Sequence, residues 1–290
     1  MTLWRLWAGL WAGLWAVLVT ATSVAATPTL ANGQSTLRVC QDPNNMPFSN
    51  SQGQGIENKL AELLGQAWGV PVSYYAFPQR MGFIRNTLRY KLPGEDYPCD
   101  IVMGVPAGFD QVATTASYYR SAYALVFPLG KNLDAVHSVE DFLNTKPALL
   151  HKLRMGVYDR SPASAWLSRH GLEDAGVPYK LLNADPNQYP GEIIERDLAK
   201  GQIDVAIVWG PMAAYFAHRV QSPSLRVIPM RSEPGVTLEF DMAMGVRHGE
   251  PAWKAQVNAV LQSHQAHIQS ILQTFDVPLL ALPHDTAHTP

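Results

Sequence analysis

Histidines, cysteines, arginines and a few hydroxyls are the residues of this chain whose types and spacing could do chemistry. His264 and His267 stand three apart on a predicted helix, a spacing that could supply two ligands of a zinc site. No third ligand converges on them in the sequence, so they read as solvated surface histidines. The two cysteines, Cys40 and Cys99, fall at or beside predicted strands. In an exported chain an even count suits a disulfide, and the same positions suit buried free thiols; strand register decides between the two. Gly53 and Gly55 in "GQGIEN" resemble part of a phosphate loop, but the third glycine and the tight strand turn are missing. The sequence holds no G-x-S-x-G elbow and no H-E-x-x-H pair. No metal or cofactor is therefore expected, and the pattern reads as that of a binding protein, not an enzyme.

The polar groups that remain cluster just after predicted strands. "LRVC" (37–40) reads as a buried strand, and "QDPNNMPFSN" follows it as a long loop with two prolines. Ile56, Leu60, Leu63, Leu64 and Ala67 then fall at helical spacing, with Gly69 as the C-terminal cap. "VPVSYYAF" (70–77) is a strand, "QRMGFIRNTLRY" (79–90) a helix and "CDIVMGV" (99–105) a third strand. A second unit of the same kind runs through "LRMGVYD" (153–159), "SPASAWLSRHG", "VPYKLLN", "GEIIERDLAKG" and "IDVAIVW" (203–209). Ser161 caps the first of its helices, with Pro162 at the opening position. "VTLEFDMAMGVRHGE" (236–250) reads as one more long strand, and two helices close the chain.

This alternation predicts a two-lobed α/β fold, each lobe a mixed, mainly parallel sheet flanked by helices. Two extended crossings, near 122–128 and 237–246, would join the lobes as a hinge. The expected segments are a signal peptide at 1–26, lobe one over 37–124, lobe two over 125–238, a return to lobe one over 239–282, and a loose tail at 283–290. The signal peptide is read from Arg5, the apolar run Leu6 to Val19 and the small residues Val24-Ala25-Ala26. It places the mature protein in the periplasm, with no membrane span once the signal is removed. Of 290 residues 47% are hydrophobic and 16% charged, and the formal net charge of -2 gives no reason to expect nucleic acid.

In such sheets ligands bind beyond the carboxyl ends of the strands. The residues expected to line the cleft are Asp42, Asn44, Asn45, Phe48, Gly104, Tyr119, Arg120, Tyr158, Arg160, Ser161 and Trp209. The asparagines would supply neutral hydrogen bonds, the aromatics apolar contact and the arginines attraction for an anion. Each has a plainer reading: Phe48 as a core anchor, Ser161 as a helix cap, Trp209 as a buried strand end.

The run "LRVCQDPNNMPFSN", "GIENKLAELL", "CDIVMGVPAGFD" and "SYYRSAYALVF" resembles periplasmic solute-binding proteins of the amino-acid-binding superfamily. It is most similar to the methanol-oxidation J proteins. That resemblance spans Leu37 to about Val277 and implies a Venus-flytrap fold without enzymatic activity. It further implies a partner, a PQQ-dependent methanol dehydrogenase and also its cytochrome c, which such proteins would help to assemble or activate. Amino-acid importers carry an arginine after the third strand to clamp a carboxylate, and an aspartate after the last strand of lobe two for the ammonium. Here the corresponding stretches read "GFDQVATT" (108–115) and "VWGPMAAY", with neither charge. Leaving a buried amino acid's charges unpaired would cost several kcal/mol per ion. The alternative reading, a solute-binding component of an ABC importer for a small polar molecule, is weakened accordingly.

Overall fold

The computed structural model describes residues 28–79, 82–180 and 188–282. The expected signal peptide and the tail from 283 lie outside the described residues. The chain opens with β1 (Leu37–Gln41), a two-residue ladder of β2 (Asn44–Asn45) and β3 (Ser49–Asn50), and α1 (Ile56–Trp68). Next come β4 (Val72–Ala76), α2 (Phe83–Asn86), β5 (Ile101–Pro106), β6 (Ala113–Thr114) and β7 (Tyr119–Pro128). The second lobe contains α3 (Val139–Leu143), α4 (Pro147–Leu150), β8 (Met155–Tyr158), α5 (Pro162–Arg169) and β9 (Gly176–Tyr179). A π-helical segment at Ile193–Leu198, β10 (Val205–Trp209), α6 (Gly210–Arg219) and β11 (Leu225–Pro229) complete it. The chain returns through β12 (Glu239–Val246) and ends on α7 (Pro251–Ser263) and α8 (Gln265–Thr274).

The sheet runs β4-β1-β5-β12-β7-β10-β8-β9, with β11 also on β7 and β6 on β12. Strand β7 belongs to both lobes. Its first residues pair antiparallel with β12, from Tyr119 opposite Met242 to Ala122 opposite Glu239. From Tyr123 onward it pairs antiparallel with β10 on one side, and from Ala124 with β11. The β1–β4, β1–β5, β8–β10 and β8–β9 pairs are parallel, so each lobe carries the expected mixed sheet.

Burial on both faces explains the unbroken apolar strands of lobe two. Leu125, Phe127, Val205 and Ile207 face one core with Phe142, Trp166 and Leu167. Ala124, Val126, Ala206 and Val208 face the other with Ile193, Leu198 and Phe216. Lobe one packs Leu37, Leu60, Leu64, Met244, Trp253 and Leu272 together. The two cysteines are bonded to each other, tying β1 to the residue two before β5. At the far end of that sheet the fully buried Asp100 accepts from Arg38 and Arg247, each at 2.6 Å. Arg247 is thus consumed structurally, away from any cleft.

Four expectations need correction. The helix predicted over 79–90 is the short α2, preceded by Gly82 in a left-handed conformation (φ 85°). The strand predicted over 236–250 is limited to β12. Trp209–Met212, which follows a strand and reads from the sequence as a loop, instead opens α6, with Pro211 in its first turn. The segment 191–201 is helical, but its regular part is a π-helix.

The long loop after β1 folds on itself and docks against α1. Pro47 and Phe48 carbonyls accept from the Ile56 and Glu57 amides at 2.8 and 2.7 Å. A Cβ on Gly55 would lie 2.2 Å from the Phe48 carbonyl oxygen, so only glycine permits this approach. Gly55→Ala is expected to cost about 2–3 kcal/mol, the upper range for overpacking against a fixed neighbour. Urea denaturation checks this; an unchanged midpoint would show that the loop is not held against the helix.

Candidate functional site

The C-terminal ends of β1 and β5, the start of α1, the middle of the joined strands and the start of α6 meet at the interlobe cleft. Asp42 opens the loop. Its carboxylate accepts the Asn44 amide at 2.8 Å and the Gln79 amide, an Asx turn that sets the loop's direction. Asn45 is buried and donates to the Gln79 side chain at 2.7 Å. Behind them Asn58, fully buried on α1, donates to Gln41 and accepts from the amides of Asn50 and Gly55. Asp42 and Asn45 therefore build the rim. Phe48 is half-buried and packs against the cores of both lobes.

Gly104 sits in a β-bulge. Val102 pairs with Gly245 and Val105 with Ala243, so two residues of β5 oppose one of β12. Gly104 takes φ 67°, as the left-handed position of such a bulge requires. Over it lies the Glu57 carboxyl: a Cβ on Gly104 would approach Glu57 Oε1 to 2.6 Å. Burial, with the Asp42 carboxylate beside it, pushes the Glu57 pKa up to about 8. The buried Tyr118 and Tyr119 stand close enough to feel its charge. Glu57 is absent from the sequence-predicted set. Its only signal is position, since the second residue of a helix that follows a cleft loop must face the cleft.

Trp209 ends β10 opposite Tyr123. Its ring makes edge contacts with Tyr123 at 5.6 Å and with Phe240 at 5.8 Å. The half-buried ring packs on the lobe-one core that contains Tyr119, so it reaches from lobe two to the shared strand. Across the cleft, Tyr158 donates to the Pro190 carbonyl at 2.6 Å and rests against Tyr179. Ser161 caps α5, accepting the Ser164 amide at 3.3 Å. Arg160 is exposed with φ 55°. Asn44 is exposed on the rim.

Arg120, expected to attract an anion, is ion-paired within the protein. Its guanidinium lies 3.4 Å from Asp241 and 3.8 Å from Glu239, so two carboxylates of the neighbouring strand already take its charge. Arg80, which the sequence also places near the cleft mouth as a cation able to meet an anion, lies outside the described residues. Phe48, Gly104, Tyr119 and Trp209 come together around Glu57, whereas Arg160 and Ser161 stay on the lobe-two rim.

No family model matches the chain. Protein MoxJ of Methylorubrum extorquens is 31% identical over 260 residues, covering 84% of this chain and 82% of that protein. The Protein MoxJ of Paracoccus denitrificans is 30% identical over 272 residues, covering 88% and 92%. The chain belongs to the MoxJ family. Among solved structures it resembles the periplasmic binding protein XoxJ from Methylobacterium extorquens AM1, at 35% identity and a TM-score of 0.68, covering 85% of this chain and all of that one. MxaJ from Methlophaga aminisulfidivorans MPT gives 25% identity and a TM-score of 0.69, with 84% and 100% covered. An ancestral cationic amino acid solute-binding protein, 20% identical with a TM-score of 0.61, shares the fold. This MoxJ-family chain is thus a periplasmic binding protein of the methanol-oxidation group, with the two-lobed solute-binding fold.

Glu57 makes a signed prediction. Its folded pKa near 8 exceeds the ordinary carboxyl value of 4.5, so between those values the folded state holds a proton that the unfolded state lacks. This proton penalises folding progressively as pH rises through that window. Glu57→Gln should match the wild type at pH 5 and melt several degrees higher at pH 8.5. Parallel melting curves across pH 5 to 8.5 would contradict the buried carboxyl.

Proposed function

We propose that this protein is a periplasmic accessory factor of methanol oxidation. It would assist assembly or activation of a PQQ-dependent methanol dehydrogenase, without catalysis of its own. Export would proceed through the N-terminal signal read in the sequence. The observation that carries this reading is MoxJ similarity over more than four-fifths of the chain, joined to a cleft unsuited to a free amino acid. The stretch after the third strand offers no arginine, Arg120 is paired with Glu239 and Asp241, and the stretch after Trp209 offers no carboxylate. What the cleft does present is neutral amides on the rim and the Trp209–Tyr123–Phe240 aromatic group, surfaces suited to a protein segment.

The importer reading draws its one support from Glu57, a cleft carboxyl that could meet an ammonium. Among the described residues no cation is paired with Glu57 or stands beside it to meet the ligand's own carboxylate.

Size-exclusion co-elution and activity assays with apo- and holo-dehydrogenase test the proposal. The expected result is a complex with at least one form of the enzyme, and a gain in activity when apo-enzyme is loaded in its presence. Trp209→Ala should weaken the complex about thirtyfold, the effect of losing a hot-spot aromatic of about 2 kcal/mol. Absence of any complex with either form would overturn it.

A further inference from the structure

The hinge strands allow the lobes to move, yet two other segments of lobe one also cross to lobe two. Both arrive near one element, α6. We propose that this protein clasps its own cleft, and that the lobes are held in one relative position without a ligand between them.

The first crossing is the loop after β1. Met46 and Phe48 are half-buried, and both pack against the lobe-two core that contains Val208, Met212 and Phe216. The loop that carries them is fixed to lobe one at several points. Asp42 binds the Asn44 and Gln79 amides, Ser49 Oγ donates to the Asp42 carbonyl at 2.8 Å, and the Pro47 and Phe48 carbonyls hold the start of α1. A loop anchored in this way acts as a hook, because Met46 cannot follow lobe two without breaking those bonds.

The second crossing is the chain after α8. Phe275 packs on the lobe-one core and also meets Tyr215 of α6, with ring centroids 6.2 Å apart. Asp276, in a left-handed conformation, lies 3.2 Å from His218 on the same helix. The Pro278 carbonyl accepts from Ser121 Oγ at 2.7 Å, and the Leu280 amide donates to the Arg120 carbonyl at 2.9 Å. The Pro278 ring presses on Gly210, where a Cβ would lie 2.8 Å from Cγ. This strap therefore bonds the shared strand at Arg120 and Ser121 while gripping α6 at its first residue and again at Tyr215 and His218.

An opening rotation about β7 and β12 would have to pull Met46 and Phe48 out of an apolar core and part Phe275 from Tyr215. Both costs oppose separation without any bound solute, since they arise from the chain itself. The inference stands independently of any partner and concerns only the free protein.

Spin labels at Gln52→Cys and Asp159→Cys, both exposed and one in each lobe, report the distance across the cleft by pulsed dipolar spectroscopy. The wild-type background should give a single narrow distance, with any wider state held within the ~0.1–10% of an ordinary minor conformer. Met46→Ser and Tyr215→Ser, singly and combined, should raise the wider population, about tenfold for the pair. Circular dichroism establishes that each variant is folded. If the double variant does not fold, the single variants carry the same test. Two comparable populations in the wild-type background, or folded clasp variants with an unchanged narrow distance, would overturn the proposal.

Discussion

A strand's amide and carbonyl groups must be paired wherever they are buried, and β7 satisfies this requirement with two different sheets in succession. Its residues from Tyr119 to Ala122 are bonded to β12, and those from Tyr123 onward to β10 and β11. Because one continuous ladder serves both lobes, their relative twist follows from its register. The same register puts Trp209 opposite Tyr123 and Arg120 opposite Asp241. The aromatic floor of the cleft and the neutralised arginine are therefore consequences of strand pairing. Neither needs a separate device.

Charge distribution follows from that placement. A cation directly across a ladder from a carboxylate is stabilised by the pair, more so where solvent is partly excluded. Arg120 has Asp241 opposite and Glu239 next along the same edge, so its charge is spent within the hinge. Glu57 stands in the reverse situation. Among the described residues its carboxyl has no cationic partner, and burial beside Asp42 drives it toward the protonated form. Trp209, Tyr123 and Phe240 form an aromatic group on the strands that join the lobes.

Much of this was legible in the sequence. Strands such as Val205–Trp209, flanked by Ser-capped or Gly-ended helices, stand out by composition and by clear stops. Two similar units with two extended crossings follow from their order. Where the reading failed, the cause was tertiary. Gly210 and Pro211 look like loop residues, yet Pro is accepted in a helix's first turn, and Gly210 is required where Pro278 and the Ala122 carbonyl crowd it. The helix predicted over 79–90 has the right periodicity, but Gly82 in a left-handed conformation admits only the short α2 after it. In the sequence Arg120 looks like a free cation because its partners lie more than a hundred residues on. Glu57 is not among the residues the sequence singles out, since an acid in a helix's first turn is ordinary. Only the bulge that brings Gly104 beneath it exposes its role.

The proposed function rests on one claim, that the interlobe space is not built to hold a free amino acid. Titration calorimetry of the intact protein against a panel of free amino acids at neutral pH tests it most directly. The account predicts no saturable binding tighter than about 1 mM, or roughly 4 kcal/mol. Micromolar binding of any one of them, with unit stoichiometry, would contradict it.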